Sequence, residues 1–430
     1  MLLRKGGSGG MLHEFAADDP TRGGAGRARV LESRSMQLKT RVALAVGAFL
    51  LLQELALRAL FPVPEVLNFD RLDYSQMEFT RDAQTRPALG HASFTWTSDP
   101  DRFSFVHQLN LYGFRDGEWH RRKPAGTTRI AFFGDSFVEG LSAAAEDTIP
   151  TAFAAIATQA GENVDVLNFG VAGGDLPAYA RLLRDALPLF QPDQVVLLLY
   201  ANDVLPTRFD PAWLRDPPAP EFALAWTPRL LHLIGRMRNG RPTPRRWTEA
   251  PFEYLPSVPD PRNPWSDGRT AGRLQAFVTP AVARAIRDGR FNPTLVDSLP
   301  WYRRHLVRPI SLDAHVAALA AHVRASGATF HIAYIPTKNQ ISDRYLAVQA
   351  QFSPPESVAS QLGDAFQLQA RLLAETCRRL EVAYLDLTPL LRAGDANDGP
   401  FYWDYDDHMR AVGYRFTAAA LHEWLALASG

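Results

Sequence analysis

One cysteine in 430 residues, Cys377, leaves the chain no way to close an internal disulfide. It falls in the apolar-periodic segment Ala370–Leu380, where a cysteine behaves as a small buried hydrophobe, since a reactive thiol needs an exposed, electropositive setting. Excess charge is also missing: 46 Lys and Arg balance 46 Asp and Glu, for a formal net charge of +0. The basic residues are overwhelmingly arginine and spread along the chain, so nucleic acid has no electrostatic footprint to meet. Long apolar runs are scarce too, with one membrane candidate near the N-terminus. What remains, 46% hydrophobic and 21% charged, is ordinary globular material with enough core for one large domain plus appendages.

Residues 1–40 are rich in Gly, Arg, Ser and Asp without a sustained apolar period and read as a disordered tail. Met36, followed by Gln-Leu-Lys-Thr-Arg41 and an apolar stretch, looks like a conventional start, which makes residues 1–35 a candidate gene-start artefact. Residues 41–61 are expected to form a transmembrane anchor, because Val42–Phe61 has the roughly twenty residues that one span requires. Glu54 and Arg58 interrupt it, but they stand at i and i+4, where they can pair. A signal peptide is the alternative, although no small-x-small cleavage site follows the apolar block Val42–Leu52; an amphipathic soluble helix is a third. Arg27, Arg29, Arg34, Lys39 and Arg41 precede the span, so the positive-inside bias places the N-terminus in the cytoplasm and the bulk of the chain in the periplasm or outside the cell.

Pro62 ends that helix, and residues 62–126 read as a connector with strand-like pieces such as Ala92–Trp96. From 127 onward short apolar strands alternate with helical periods. The expected strands are Arg129–Phe133, Val164–Asn168, Gln194–Tyr200, Thr329–Tyr334 and Val382–Leu387; helices are expected near 148–160, 176–190, 309–325, 360–380 and 411–427. Such βαβ alternation builds a parallel sheet with helices on both faces. It breaks at about 205–307, an irregular insertion crowded with Pro, Trp and Arg and holding one short helical piece near 280–288. Its place on the carboxyl side of the sheet is where loops shape substrates. Trp213, Trp226, Trp247 and Trp265 could offer sugar-stacking surfaces, or simply pack an irregular subdomain.

Four strand ends carry polar residues toward one edge of that sheet. Gly134-Asp135-Ser136-Phe137 follows the first strand, Asn168-Phe-Gly170-Val-Ala-Gly173-Gly174 the second and Ala201-Asn202-Asp203 the third; Asp404-Tyr-Asp406-Asp407-His408 precedes the final helix. In an open α/β sheet ligands bind beyond the carboxyl ends of the strands. A serine there becomes a nucleophile only with a base, an acid behind the base, and donors for the oxyanion. Each residue alone has a plainer explanation as a turn or cap. Asp404, Asp406, Asp407 and His408 could also suggest a metal, but no second histidine cluster stands at ligand spacing.

Taken in order, Gly-Asp-Ser-Phe, Asn-x-x-x-x-Gly, Ala-Asn-Asp and Asp-x-His resemble the four blocks of the SGNH, or GDSL, hydrolase superfamily, in its bacterial membrane-anchored branch. The likeness runs from about Leu109 to the C-terminus and includes Asn110-Leu-Tyr-Gly113-Phe-Arg115-Asp and Ile335-Pro-Thr-Lys338. The resemblance implies a three-layer, flavodoxin-like α/β domain over 127–430, preceded by one transmembrane helix. It implies Ser136 as nucleophile, His408 as general base and Asp406 as the acid, with Asp404 the alternative. The oxyanion hole would be the backbone N–H groups of Ser136 and Gly173 and the side-chain amide of Asn202. The family's third block usually begins with Gly where this chain has Tyr200, which suggests a tighter or differently shaped pocket floor. The usual fourth block is Asp-x-x-His, and position 405 is tyrosine.

The chemistry so implied is acyl transfer through a serine ester, without cofactor or metal. With water as acceptor the protein is an esterase, carbohydrate deacetylation included; with a sugar hydroxyl it is a cell-envelope or exopolysaccharide O-acyltransferase. A non-catalytic scaffold with the same fold is the third alternative. The expected partners are an acyl ester substrate and the membrane.

Overall fold

The computed structural model describes residues 20–60, 93–98, 101–203, 214, 278–287, 295–353 and 355–428. The chain divides into two compact units, residues 1–59 and 60–430.

The described residues of the first unit lie in one helix, Pro20–Leu60, of 41 residues. Residues 20–40, expected to be disordered, are therefore helical. Once the apolar block is helical, propagation adds one hydrogen bond per residue without a new nucleus, and Arg, Leu, Glu, Gln and Lys between 27 and 40 are good helix formers. The stretch Met36–Leu57, 22 residues, is long and apolar enough to cross a membrane. Length and composition alone also suit a signal sequence. Most of its described apolar side chains, including Leu44, Phe49 and Leu52, are exposed. The Glu54–Arg58 pair falls on a side chain, Arg58, outside the described residues.

The second unit is built on a five-stranded, wholly parallel sheet. Counting from the N-terminus, an antiparallel hairpin comes first: β1 (Ser93–Ser98) and β2 (Phe103–Gln108). The sheet strands are β3 (Thr128–Gly134), β4 (Val164–Gly170), β5 (Gln194–Tyr200), β6 (Thr329–Ile335) and β7 (Ala383–Asp386), in the order β4-β3-β5-β6-β7. Helix Ile149–Gln159 packs with Ala411–Ala428, which also meets Thr388–Asp398; Leu176–Phe190 packs with Asp313–Ala325, which meets Leu368–Arg379. The three-layer, flavodoxin-like α/β architecture is present. Strands covered on both faces lose the polar alternation of a half-exposed sheet, and Ile130–Phe133 and Val195–Leu199 are accordingly continuous apolar runs, all buried. Phe133 and Phe169 stack across adjacent strands with centroids 4.6 Å apart.

That strand order creates the position for a site. The chain leaves β3 toward β4 on one side and later lays β5 on the other, so the connections diverge at the carboxyl end of β3. Such a topological switch point opens a crevice there. Register pairing aligns Gly134 with Gly170 and Phe133 with Leu197, bringing the tips of β4, β3 and β5 side by side.

The connector keeps the expected strand-like piece near Ala92–Trp96 as β1 and, in its described part, adds β2 and a braced loop. In that loop, Asn110 Oδ1 accepts from the backbone N–H groups of Tyr112 and Phe114, and its amide donates to Gly117 O. The insertion, in turn, includes a second helix, Leu295–His305, besides Pro280–Arg287. Pro300 lies inside it and masks it in the sequence pattern; proline there costs one helical hydrogen bond, while Leu299, Tyr302 and Leu306 are buried. Trp213, Trp226, Trp247 and Trp265 lie outside the described residues.

Candidate active site

Ser136 opens a one-turn helix, Ser136–Glu139, directly after β3. Asp135 is its N-cap, accepting the Phe137 N–H at 2.9 Å. Gly140 closes the turn with φ +81°, a left-handed conformation that glycine adopts without steric cost. Gly170 is required for a different reason, because a Cβ there would overlap the backbone of Glu139. The serine turn and the tip of β4 can touch only because position 170 has no side chain, and the Val171 N–H then donates to Gly134 O at 3.0 Å.

The Ser136 side chain meets those of His408 and Asp406, far along the chain, in a line. The Ser136 hydroxyl lies 2.7 Å from His408 Nε2, and His408 Nδ1 lies 2.5 Å from Asp406 Oδ1. The same carboxylate oxygen accepts the backbone N–H of His408 at 2.8 Å, closing a local turn that fixes the ring against the acid. Asp404, the alternative acid, instead faces Arg410 at 3.6 Å with its side chain well exposed. Asp406 is thus the carboxylate brought to the imidazole.

Electrostatics follow from this pairing. Burial alone would push the Asp406 carboxyl up, but the imidazole of His408, its hydrogen bonds and the ammonium of Lys338 hold it below the usual carboxylate value. Burial likewise works against a charged His408, yet Asp406, with help from Asp135 and Asp407, carries the imidazole above its ordinary value. A hydroxyl, an imidazole and an ionised carboxylate in this order can move a proton off the oxygen and hold the imidazolium that results.

Gly173 and Asn202 stand on the loops after β4 and β5, on either side of the serine. Gly173 takes φ +65°, and the Gly174 N–H closes the turn onto Val171 O. Asn202 Oδ1 is buried with no hydrogen-bond partner among the described residues. Its neighbour Asp203 is a structural acid, accepting the Tyr200 N–H and the Tyr179 hydroxyl. Burial, then the nearby Asp135 carboxyl, pushes Asp203 well above the normal range, while burial takes Asp135 up to about 6. Tyr200, where the resembled family has glycine, is buried between Phe137 and Tyr302, with ring centroids 4.2 and 5.9 Å away.

Several supports escaped the sequence pattern. Lys338, buried at 1% exposure, donates to Trp403 O, Asp404 O and Asp406 O at 3.1, 2.9 and 3.1 Å and pairs with Asp407 at 3.3 Å, so it clamps the loop carrying the acid. Arg115, also buried, reaches Gly140 O and Ala143 O just beyond the serine turn. Glu139 accepts the Ala172 N–H at 2.8 Å, tying the serine turn to the Gly173 loop. Lys338 and Arg115 stood inside motifs quoted above, but nothing in their spacing said that their side chains would be buried against backbone carbonyls. Among the described residues no group of His, Cys, Asp or Glu is arranged to hold a metal.

No family model and no curated protein matches the chain. Among solved structures it is similar to a lipase/acylhydrolase from Enterococcus faecalis, at 12% identity over 69% of this chain and 94% of that one, with a TM-score of 0.34. It is likewise similar to a family 3 carbohydrate esterase from Clostridium thermocellum, at 12% identity over 70% and 98%, TM-score 0.31. A third is AlinE4, described as an SGNH-hydrolase family esterase, at 11% identity over 71% and 98%, TM-score 0.31. Similarities this loose carry no weight for the chemistry, which rests on the line of Ser136, His408 and Asp406.

Proposed function

We propose that this chain is a serine esterase of the SGNH type, anchored by residues 41–61 with its catalytic domain outside the cytoplasm. The observation that carries it is the hydrogen-bonded line from the Ser136 hydroxyl through His408 to Asp406, standing at the topological switch point of the sheet. His408 takes the proton of Ser136 as the oxygen attacks an ester carbonyl; Asp406 holds the ring and offsets the imidazolium charge. The N–H groups of Ser136 and Gly173 and the amide of Asn202 receive the oxyanion, and the imidazolium returns its proton to the departing alcohol. Water, activated by the same base, then releases the acyl group.

A carbohydrate hydroxyl in place of that water would make the protein an O-acyltransferase through the same acyl-enzyme. The two are separated by the acceptor. A fluorophosphonate probe is expected to label the wild-type chain and not Ser136→Ala. Acetate release from p-nitrophenyl acetate, measured with and without an oligosaccharide acceptor, then reads hydrolysis against transfer. A wild-type chain that stays unlabelled beside a reactive serine esterase would sink both.

A further inference from the structure

The hairpin β1–β2 lies outside the sheet and precedes Ser136 in sequence, yet it reaches the far end of the proton relay. Trp96, buried at 5% exposure in β1, directs its indole N–H at Asp406 Oδ2, 3.3 Å away across 310 residues of sequence. Its ring stands edge-on to the His408 imidazole, centroids 6.0 Å apart at 89°. The hairpin is held in place at two further points. Asp101 Oδ1, in the turn, accepts the backbone N–H groups of Asp404 and Tyr405 at 3.0 Å each, and Phe103 packs on Trp403 at 4.7 Å.

The two oxygens of Asp406 are therefore used differently. Oδ1 faces His408 through the ring and the backbone. Oδ2 takes its one hydrogen bond, among the described residues, from Trp96. A carboxylate held at one oxygen can rotate about its terminal torsion, which is broad in energy; a donor on the second oxygen removes that freedom.

We infer that Trp96 is a positioning residue for the relay: its indole N–H locks the Asp406 carboxylate in the plane that presents Oδ1 to His408. The assignment rests on the esterase proposed above. It also implies a direction for the acid limb of the pH profile. The Asp406–His408 pair is faced by Lys338, Asp407 and Asp135, and more distantly by His107 and Tyr414. Against that fixed background, removing the positive end of the indole dipole leaves the pair more attractive to a proton, wherever on the pair the proton resides.

The test uses the full-length chain with p-nitrophenyl acetate. Two replacements are compared: Trp96→Phe, and incorporation at 96 of 3-benzothienyl-alanine, which keeps the bicyclic shape and lacks the N–H. Both are expected to lower kcat about tenfold with KM within about twofold, the lower end for a hydrogen bond to an ionised group. The isostere is expected to keep the wild-type melting temperature while its acid limb moves to higher pH. A wild-type chain that labels with fluorophosphonate beside an isostere of unchanged kcat and pH profile overturns the role of Trp96 alone. A wild-type chain that neither labels nor turns over overturns the esterase and, with it, this assignment.

Discussion

Replacing Asp406 by asparagine isolates the carboxylate that the geometry selects. The substitution keeps the volume and removes the charge. Two effects then act on His408. The amide can present N–H to Nδ1, which forces the ring to carry its proton on Nε2, the atom 2.7 Å from the serine oxygen, where it can no longer accept one. The imidazolium formed in the transition state also loses the charge that lies 2.5 Å away in the wild type. In serine triads, the same change costs about 10⁴-fold in kcat, which is about 5 kcal/mol at 1.36 kcal/mol per tenfold. Asp406→Asn is expected near that size, measured as kcat/KM for p-nitrophenyl acetate. Asp404→Asn serves as the control. Its exposed carboxylate pairs with Arg410 only at 3.6 Å, and a surface pair of that kind is worth about 0–1 kcal/mol, so activity should stay within about fivefold of wild type. In the wild type, His408 is held above its ordinary value, so activity declines as pH falls through that raised value; in any residual activity of Asp406→Asn the decline should move to lower pH. Equal losses in the two variants, or a loss under tenfold in Asp406→Asn, would refute the assignment.

Three further outcomes test the surroundings. Lys338→Met leaves Asp407 and three carbonyls without their buried donor; unpairing a buried charge costs about 3–5 kcal/mol, so the melting temperature should drop sharply, and an unchanged value would contradict the clamp. His107 is fully buried and pushed down to about 3 by burial and then by Arg115. With its folded value depressed, stability is full above 6.5 and is lost as pH falls toward 3. That loss is about 2 kcal/mol by pH 5, and His107→Gln should be measurably less acid-sensitive by urea titration at pH 7 and 5. Cys377 is buried, and burial pushes its thiol up to about 12. A maleimide should therefore label it only in denaturant; fast labelling of the native chain would be inconsistent with that burial.

The sheet and the site were legible to different depths. Gln194–Tyr200 and Leu176–Phe190 were readable to the residue because a continuous apolar run and a 3.6-residue period leave little choice of element. Ser136, His408 and Asp406 were legible as a set because their blocks, taken in order, resemble those of one family; only the serine block follows a strand directly, while Asp406 and His408 lie in the loop between helices Thr388–Asp398 and Ala411–Ala428. Of the hairpin only the strand-like piece Ala92–Trp96 was legible, and its role was not. Its residues alternate weakly, and what gives them meaning is Asp406, hundreds of positions later; no local pattern announces that Trp96 will donate to it. Lys338 was hidden likewise, since a lysine after a strand reads as solvated until three carbonyls are found around its ammonium. Helix Leu295–His305 was obscured by Pro300, whose cost is one hydrogen bond inside an otherwise well-packed element.

Ser136 and His408 are separated by 272 residues, and that span has a bearing on synthesis. The strand carrying the serine emerges early, whereas the imidazole arrives only when nearly all of the sheet has been made. Under the proposed esterase reading, a serine without its base is an ordinary alcohol, so each nascent copy would be chemically silent through most of its production. Long-range closure of this kind is slow, because its loop entropy must be overcome before the contacts reward it. On that reading the delay has a use: reactivity would appear only in a chain whose sheet has come together.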